Sequence, residues 1–204
     1  MIKLIPLAAA ACLCLNAGTI VYTDFGPGQA YNTTTGLGVL SVRDVAPGFL
    51  PTASGPLTQV DIALAYFNAT APILPLSIML ESDASGIPSG TALDSWSLPG
   101  SSVTGTAQIF SFTSTLHPTL TAGTPYWLVL RTNDVNGYVW LINSLGLFGF
   151  DYNNGGGGWQ SQPLGPTQVF EVTIASSGVP EPGYAGLTAL ATLLAFGFLR
   201  LRQD

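Results

Sequence analysis

Hydrophobic and polar residues alternate through the middle of the chain. In Leu57-Thr-Gln-Val-Asp-Ile-Ala-Leu-Ala-Tyr66, Val60, Ile62, Leu64 and Tyr66 fall on one side of an extended strand, and Gln59, Asp61, Ala63 and Ala65 on the other. Successive strand side chains point to opposite faces, so this pattern predicts a half-buried strand. Leu76, Ile78 and Leu80 alternate likewise with Ser77, Met79 and Glu81, and Phe110 and Phe112 with Ser111 and Thr113. Tyr126-Trp-Leu-Val-Leu130 is apolar on both faces and predicts a central strand covered on both sides. Further strands are expected at 20–25, 37–43, 92–98, 137–142, 147–152 and 168–175. About ten strands in one layer would leave a large apolar face wet, so two packed sheets follow. The expectation is an all-β, jelly-roll-like β-sandwich.

Turn chemistry separates these runs. Asp83-Ala-Ser-Gly-Ile-Pro-Ser-Gly90 and Asp134-Val-Asn-Gly137 combine side chains that cap their own backbone with residues that tolerate positive φ. Asn153-Asn-Gly-Gly-Gly-Gly158 before Trp159 reads as a flexible or tightly curved loop, and Ala175-Ser-Ser-Gly178 as a short spacer. No internal repeat is visible.

The two ends follow another rule. Residues 1–18 carry one cation, Lys3, an apolar run from Leu4 to Leu15, and small residues at Ala17 and Gly18. This is the layout of a secretory signal peptide, expected as a helix too short to span a bilayer. A lipid-modified Cys12 after Ala9-Ala-Ala11 is the competing use of this segment. Cys12 and Cys14 both lie within it and would leave with it, so no disulfide framework is expected in the exported protein. Toward the other end, Val179-Pro180-Glu181-Pro182 precedes the uncharged stretch 183–199 and then Arg200-Leu-Arg202. Seventeen residues make about 26 Å of helix, enough to cross a thin bilayer. Arg200 and Arg202 would stay on the cytoplasmic side. Pro180 and Pro182 lack N–H donors and disfavour helix in the residue before them, so the motif is expected as an exposed extended peptide above the membrane. The chain thus divides into a signal peptide (1–18), a β-sandwich domain (19–175) and a linker with a sorting signal (176–204).

Val179-Pro180-Glu181-Pro182, the spanning segment and the terminal arginines together resemble the PEP-CTERM sorting signal of Gram-negative bacteria that make exopolysaccharide. The resemblance implies recognition by an exosortase, a membrane-embedded cysteine protease. After the secretion machinery delivers the chain to the inner membrane, the exosortase removes the helix and releases or anchors the domain at the cell surface or in the matrix. An anchor that is never cut is the plain alternative. Leu80-Glu-Ser-Asp-Ala-Ser-Gly-Ile-Pro-Ser-Gly90, Leu120-Thr-Ala-Gly-Thr-Pro-Tyr-Trp-Leu-Val-Leu130 and Trp159 after its glycine run are similar to the choice-of-anchor domains, most nearly type R. That resemblance implies an extracellular β-domain and carries no catalytic residues.

Charge narrows the chemistry. Residues 19–178 contain Arg43 and Arg131 against nine carboxylates, a net charge of -7. Nucleic acid is excluded as a partner because phosphate neutralisation needs clustered cations. Lysine occurs only at Lys3, which removes Schiff-base chemistry and the phosphate-cradling lysine loop. His117, in Thr115-Leu-His-Pro118, is the one histidine and has no Gly-x-Ser-x-Gly elbow to serve, so it reads as a surface residue beside a turn. With one histidine and no retained cysteine, a zinc site is excluded.

Carboxylates remain. Glu81 with Asp83 or Glu171 would form the acid pair of a glycoside hydrolase, the least favoured reading. Asp83 with its loop carbonyls, or Asp134 with Asn136, offers oxygen ligands for a structural calcium ion, against the simpler reading of side-chain-capped turns. The aromatic set Trp96, Trp127, Trp140, Trp159, Tyr138 and Tyr152 admits sugar stacking. Trp96 and Trp127 are expected in the core, and Trp159 beside Asn153, Asn154 and Gln160 is the candidate sugar platform. The leading expectation is a non-enzymatic exported surface or matrix protein. A carbohydrate-binding module attached to exopolysaccharide is the alternative.

Overall fold

The structure is a computed structural model and describes residues 18–66, 73–149, 151–153, 157–163 and 165–176. The expected signal helix up to residue 17, the 179–182 motif, the spanning segment 183–199, Arg200, Arg202 and Asn154 lie outside the described residues. Among the described residues no helix is long and apolar enough to cross a membrane. The stretch Ala17–Ala175 forms one compact unit.

In chain order the strands among the described residues are β1 (Thr19–Thr23), β2 (Tyr31–Val39), β3 (Asp44–Ala46), β4 (Gly48–Phe49), β5 (Gly55–Tyr66), β6 (Leu76–Asp83), β7 (Pro88–Leu98), β8 (Gln108–Thr113), β9 (Thr119–Leu120), β10 (Tyr126–Thr132), β11 (Tyr138–Asn143), β12 (Asp151–Asn153), β13 (Trp159–Ser161) and β14 (Phe170–Ile174). One sheet has the order β1-β14-β5-β11-β2, with β8 and β9 also on β5. The other has the order β13-β12-β3-β10-β6-β7, with β4 on β10. Every pairing is antiparallel. The described residues form an all-β sandwich.

The core is where the alternation places it. Val60, Ile62 and Leu64 of β5 meet Leu76, Ile78 and Leu80 of β6 and Leu128 and Leu130 of β10, all with no exposed surface. Each such side chain stabilises the fold by about 1.5–3 kcal/mol relative to exposure. Trp140 sits among them, its indole N–H donating to the Val169 carbonyl at 3.0 Å. At one pole Tyr66 and Tyr138 form an edge-on ring pair. At the other, Phe49, Tyr126 and Tyr22 close the sandwich through ring contacts.

Several expectations change. β5 is buried on both faces, not one: Ala63 and Leu141 join Phe25 and Val169 in a second small cluster on the outside of the first sheet. Asp61 and Ala65 are buried there too. Alternation reports which residues differ in polarity, and small alanines are silent about whether something covers them. The strand expected at 37–43 ends at Val39, because Leu40 and Arg43 exchange backbone hydrogen bonds in a turn. It begins earlier, at Tyr31, through a threonine-rich stretch with no apolar face to announce it. The 147–152 strand is confined to Asp151–Asn153. Leu147 instead lies in a loop clamped by the buried Asn143, whose Oδ1 accepts the Leu145 and Leu147 N–H groups and whose Nδ2 donates to the Leu147 and Thr167 carbonyls. Trp96 and Trp127 are half-buried instead of core. Trp96 packs on the core edge, and Trp127 lies on the outer face of the second sheet.

Register also fixes the poles. Thr19 pairs with Ile174, and the Ala175 N–H donates to the Pro56 carbonyl, so both ends of the domain emerge beside the start of β5. β12 ends at Asn153 and β13 begins at Trp159, in register with the end of β10 toward the opposite pole.

Candidate functional site

The outer face of the second sheet collects polar groups in rows. Across the strands, Ser97, Ser77, Arg131, Asp44, Asn153 and Trp159 follow one another in register. Arg131 Nε donates to Asp44 Oδ2 at 2.9 Å, and its Nη2 lies 3.9 Å from Glu81 Oε1, an ion pair too long for a hydrogen bond. Glu81 is fully buried, with Oε2 accepting the Gly90 N–H at 2.6 Å and Oε1 lacking a hydrogen-bond partner. To reach it, the Arg131 side chain must cross the row of Val129, which is itself fully buried on this face. Burial pushes Asp44 upward from the usual carboxylate value, Arg131 draws it down, and Glu81 raises it again.

Asn153, Trp159 and Gln160 of the candidate sugar platform lie on the β12–β13 pair. Asn153 pairs with Trp159, whereas Gln160 pairs with Tyr152. Adjacent strand residues face opposite sides, so Trp159 and Gln160 do not share a face. Trp159 is half-buried in the row that contains Asp44 and Arg131.

Asp83 occupies a different place. Its carboxylate accepts the Gly86 N–H at 3.1 and 3.0 Å and the Trp127 indole N–H at 2.8 Å. The Gly86 bond first, then Trp127, holds Asp83 below the usual carboxylate value. The Trp127 ring lies over Gly48, where a Cβ would stand 3.1 Å from it. Beside Asp83 opens a cleft of about 570 Å³ between the sheets, lined also by Leu93, Pro118, Thr119, Thr124 and Pro125.

The other calcium candidate is a latch between elements. Asp134 Oδ2 accepts the Tyr66 hydroxyl at 2.8 Å and the Leu74 N–H at 2.9 Å, and Oδ1 accepts the Asn136 and Gly137 N–H groups at 2.9 and 3.4 Å. Burial pushes this group up, but the four hydrogen bonds together outweigh it and leave Asp134 below the usual carboxylate value. Asn136 therefore meets Asp134 through its backbone N–H. Among the described residues no group of three or more His, Cys, Asp or Glu is placed to hold a metal ion.

Two buried acids escaped the sequence reading. Asp94 accepts the Ser114 hydroxyl at 2.5 Å and the Thr115 N–H at 3.2 Å, tying β7 to the turn after β8. Burial raises it, and its hydrogen bonds, led by Ser114, bring it below the usual value. Asp24 is fully buried, accepts the Phe170 N–H at 2.7 Å through Oδ1, and leaves Oδ2 without a partner. Burial pushes it up to about 7 despite that bond. Nothing in the local sequence separates these acids from exposed ones, since their partners lie far along the chain.

Of the two candidate acid pairs, Glu81 and Asp83 stand two residues apart on β6, whereas Glu81 and Glu171 are separated. Glu171 is on the first sheet, opposite Asp61, and Glu81 is on the second. Glu81 is also absent from the lining of the Asp83 cleft. Burial raises Glu171, the Thr23 hydrogen bond draws it back in part, and Asp61 adds a smaller upward push. His117 is exposed at φ 47, and its ring Nδ1–H donates to the Leu57 carbonyl at 3.0 Å, since a carbonyl can only accept. No protein-family model matches this chain, and no curated protein matches it significantly.

Proposed function

We propose that the chain is an exported, non-enzymatic surface or matrix protein whose β-domain, which we read as jelly-roll-like, is delivered and then processed through a PEP-CTERM-type signal. The observation that carries the reading is the order of three parts after the last strand: Val179-Pro180-Glu181-Pro182, the uncharged stretch 183–199, and Arg200 with Arg202. An extended proline-flanked peptide beside a bilayer is accessible to a membrane-embedded protease such as an exosortase. Supporting it, the last strand among the described residues ends at Ile174, ahead of the 179–182 motif, so a cut at the motif leaves those strands whole. Intact-mass measurement of the protein from the cell surface and the medium tests this. The expected species ends near the 179–182 motif; protein retaining Tyr184 to Asp204 in every fraction would make it a permanently anchored membrane protein.

A second reading adds carbohydrate contact. It is favoured by the register that sets Trp159 in one row with Asn153, Asp44 and Arg131. An aromatic ring beside polar groups suits a pyranose, whose faces are apolar and whose edge is polar. Trp159→Ala is expected to abolish retention on the cell's own exopolysaccharide while leaving the fold intact; unchanged retention would remove the hairpin from that role.

A further inference from the structure

We propose that Asn32 is a glycan attachment site, its side-chain amide nitrogen taking a sugar chain from a lipid-pyrophosphate-linked donor. This goes beyond sorting and processing. It rests on the exported-protein reading only in placing the chain where such donors are used, and its test reads the two separately.

Asn32-Thr33-Thr34 sets an amide side chain two residues ahead of a hydroxyl, the spacing that asparagine-linked glycosylation uses in exported chains. The structure adds what the spacing alone lacks. β2 is the end strand of the first sheet and pairs with β11 on one side. Within it Tyr31 pairs with Asn143 and Gly36 with Leu141, so residues 32–35 stand opposite Ile142 alone and bulge out of the ladder. Thr33, Thr34 and Thr35 are exposed, and Asn32 is half-buried. The strand closes back onto β11 at Gly36, where a Cβ would stand 2.5 Å from the Trp140 carbonyl oxygen. A short segment protruding from a sheet edge is open to a second protein without unfolding of the sandwich.

Hydrogen bonds prepare the amide. Asn32 Oδ1 accepts the Thr34 N–H at 3.0 Å, the Thr34 hydroxyl at 3.0 Å and the Thr35 N–H at 2.9 Å. Nδ2 donates to no acceptor among the described residues, so both of its hydrogens are available. An amide nitrogen is a poor nucleophile because its lone pair is delocalised into the carbonyl, and it attacks only as a proton leaves. Three donors on Oδ1 pull electron density onto the oxygen and make that proton easier to remove. In the transfer step Nδ2 bonds to the anomeric carbon of the donor, and the bond from that carbon to the pyrophosphate oxygen breaks. The electron pair leaves with the lipid pyrophosphate, and the Nδ2 proton passes to a base of the transferase. The other described asparagines lack this combination. Asn143 is buried, spends Nδ2 on the Leu147 and Thr167 carbonyls, and has Leu145 where the hydroxyl is needed. Asn133, Asn136 and Asn153 have Val135, Tyr138 and Gly155 there. Asn68-Ala69-Thr70 repeats the spacing outside the described residues. A glycan on Asn32 also covers the free edge of β2, whose backbone is otherwise open to pairing with another chain.

The experiment is mass spectrometry of the protein recovered from the cell surface and medium of its own host, with proteolytic peptides fragmented so that each added mass is assigned to one residue. Asn32 is expected to carry a series of hexose or hexosamine masses. Asn32→Gln and Thr34→Ala should abolish that series, and Thr34→Ser, which keeps the hydroxyl, should retain it. Three results overturn the proposal: bare Asn32 in every fraction, the series kept by Thr34→Ala, or sugar found only at Asn68 or on threonine hydroxyls. The same spectra show whether residues 1–18 have been removed. Bare Asn32 on a chain that has lost them overturns this proposal and leaves export standing, whereas bare Asn32 on a chain that still carries them overturns both.

Discussion

Asp83 and Asp134 begin turns of the same spacing, Asp-x-x-Gly, yet one borders an open cleft and the other locks the opposite pole. Locally they agree. Each carboxylate accepts the N–H of the glycine three residues on, Gly86 or Gly137, and each glycine has positive φ, 89° and 71°. Beyond the turn they diverge. Asp134 also takes the Tyr66 hydroxyl from the end of β5 and the Leu74 N–H that leads into β6, so one buried side chain joins both sheets. Asp83 takes only the half-buried Trp127 indole from outside its own turn. A turn signature therefore specifies the turn; what its carboxylate does depends on which distant donors reach it.

The largest effect expected from this difference is at Asp134. Asp134→Ala strands the Tyr66 hydroxyl and the Leu74 N–H, and should lower unfolding free energy in urea by about 3–5 kcal/mol. Asp83→Ala should cost less than about 1 kcal/mol. Equal losses would erase the contrast. The glycines sharpen it further. A Cβ at Gly137 would lie 2.5 Å from the Val39 carbonyl oxygen and closer still to Leu40, whereas at Gly86 it meets nothing within 4 Å. Gly137→Ala should cost about 2–4 kcal/mol from strain plus overpacking, and Gly86→Ala about 1–2 kcal/mol from the left-handed backbone alone.

Asp24 tests the same idea by pH. It is buried like Asp134, but accepts the Phe170 N–H and leaves one oxygen unpartnered. Its folded value of about 7 lies above the unfolded value of about 3.9. Its stability contribution is therefore complete below about pH 4 and is lost as pH rises through about 7. Asp24→Asn should raise the melting temperature at pH 8 and change it little at pH 4. Asp134 and Asp94 run oppositely. Both are held below the usual value, so their contribution persists above about pH 3.9 and disappears only as pH falls further. Thermal scans across pH, with each acid replaced by its amide, separate the two behaviours. The smallest change expected is Trp127→Phe, which removes the indole N–H from Asp83 at a cost of about 0.5 kcal/mol, below that of Asp83→Ala. Its pH profile should lose only part of the small acid-side contribution of Asp83, because the larger Gly86 bond remains.

Legibility along the chain follows the length and contrast of each pattern. Leu76-Ser-Ile-Met-Leu80 alternates strongly enough to give both the strand and its inward face, and the structure places those three apolar residues in the core. Gly48–Phe49 and Thr119–Leu120 are two residues each, too short for any period, and exist because β10 and β5 offer them hydrogen bonds. Tyr126-Trp-Leu-Val-Leu130 has no polar residue to mark its outer face, which is how Trp127 came to be expected inside. For the candidate site, the Asp83 turn was visible, but Pro118, Thr119 and Thr124 reach its cleft from more than thirty residues away.

By itself, then, the sequence determined that this domain is a two-layer β structure, with its inner faces and its two aspartate turns, because alternation and turn chemistry act between residues a few positions apart. Only the tertiary structure decided that Asp134 is saturated, Asp24 left with one unpartnered oxygen and Asp83 tied to the Trp127 indole. Those outcomes depend on how many donors arrive from other strands, and that number is set when the sheets pair and pack.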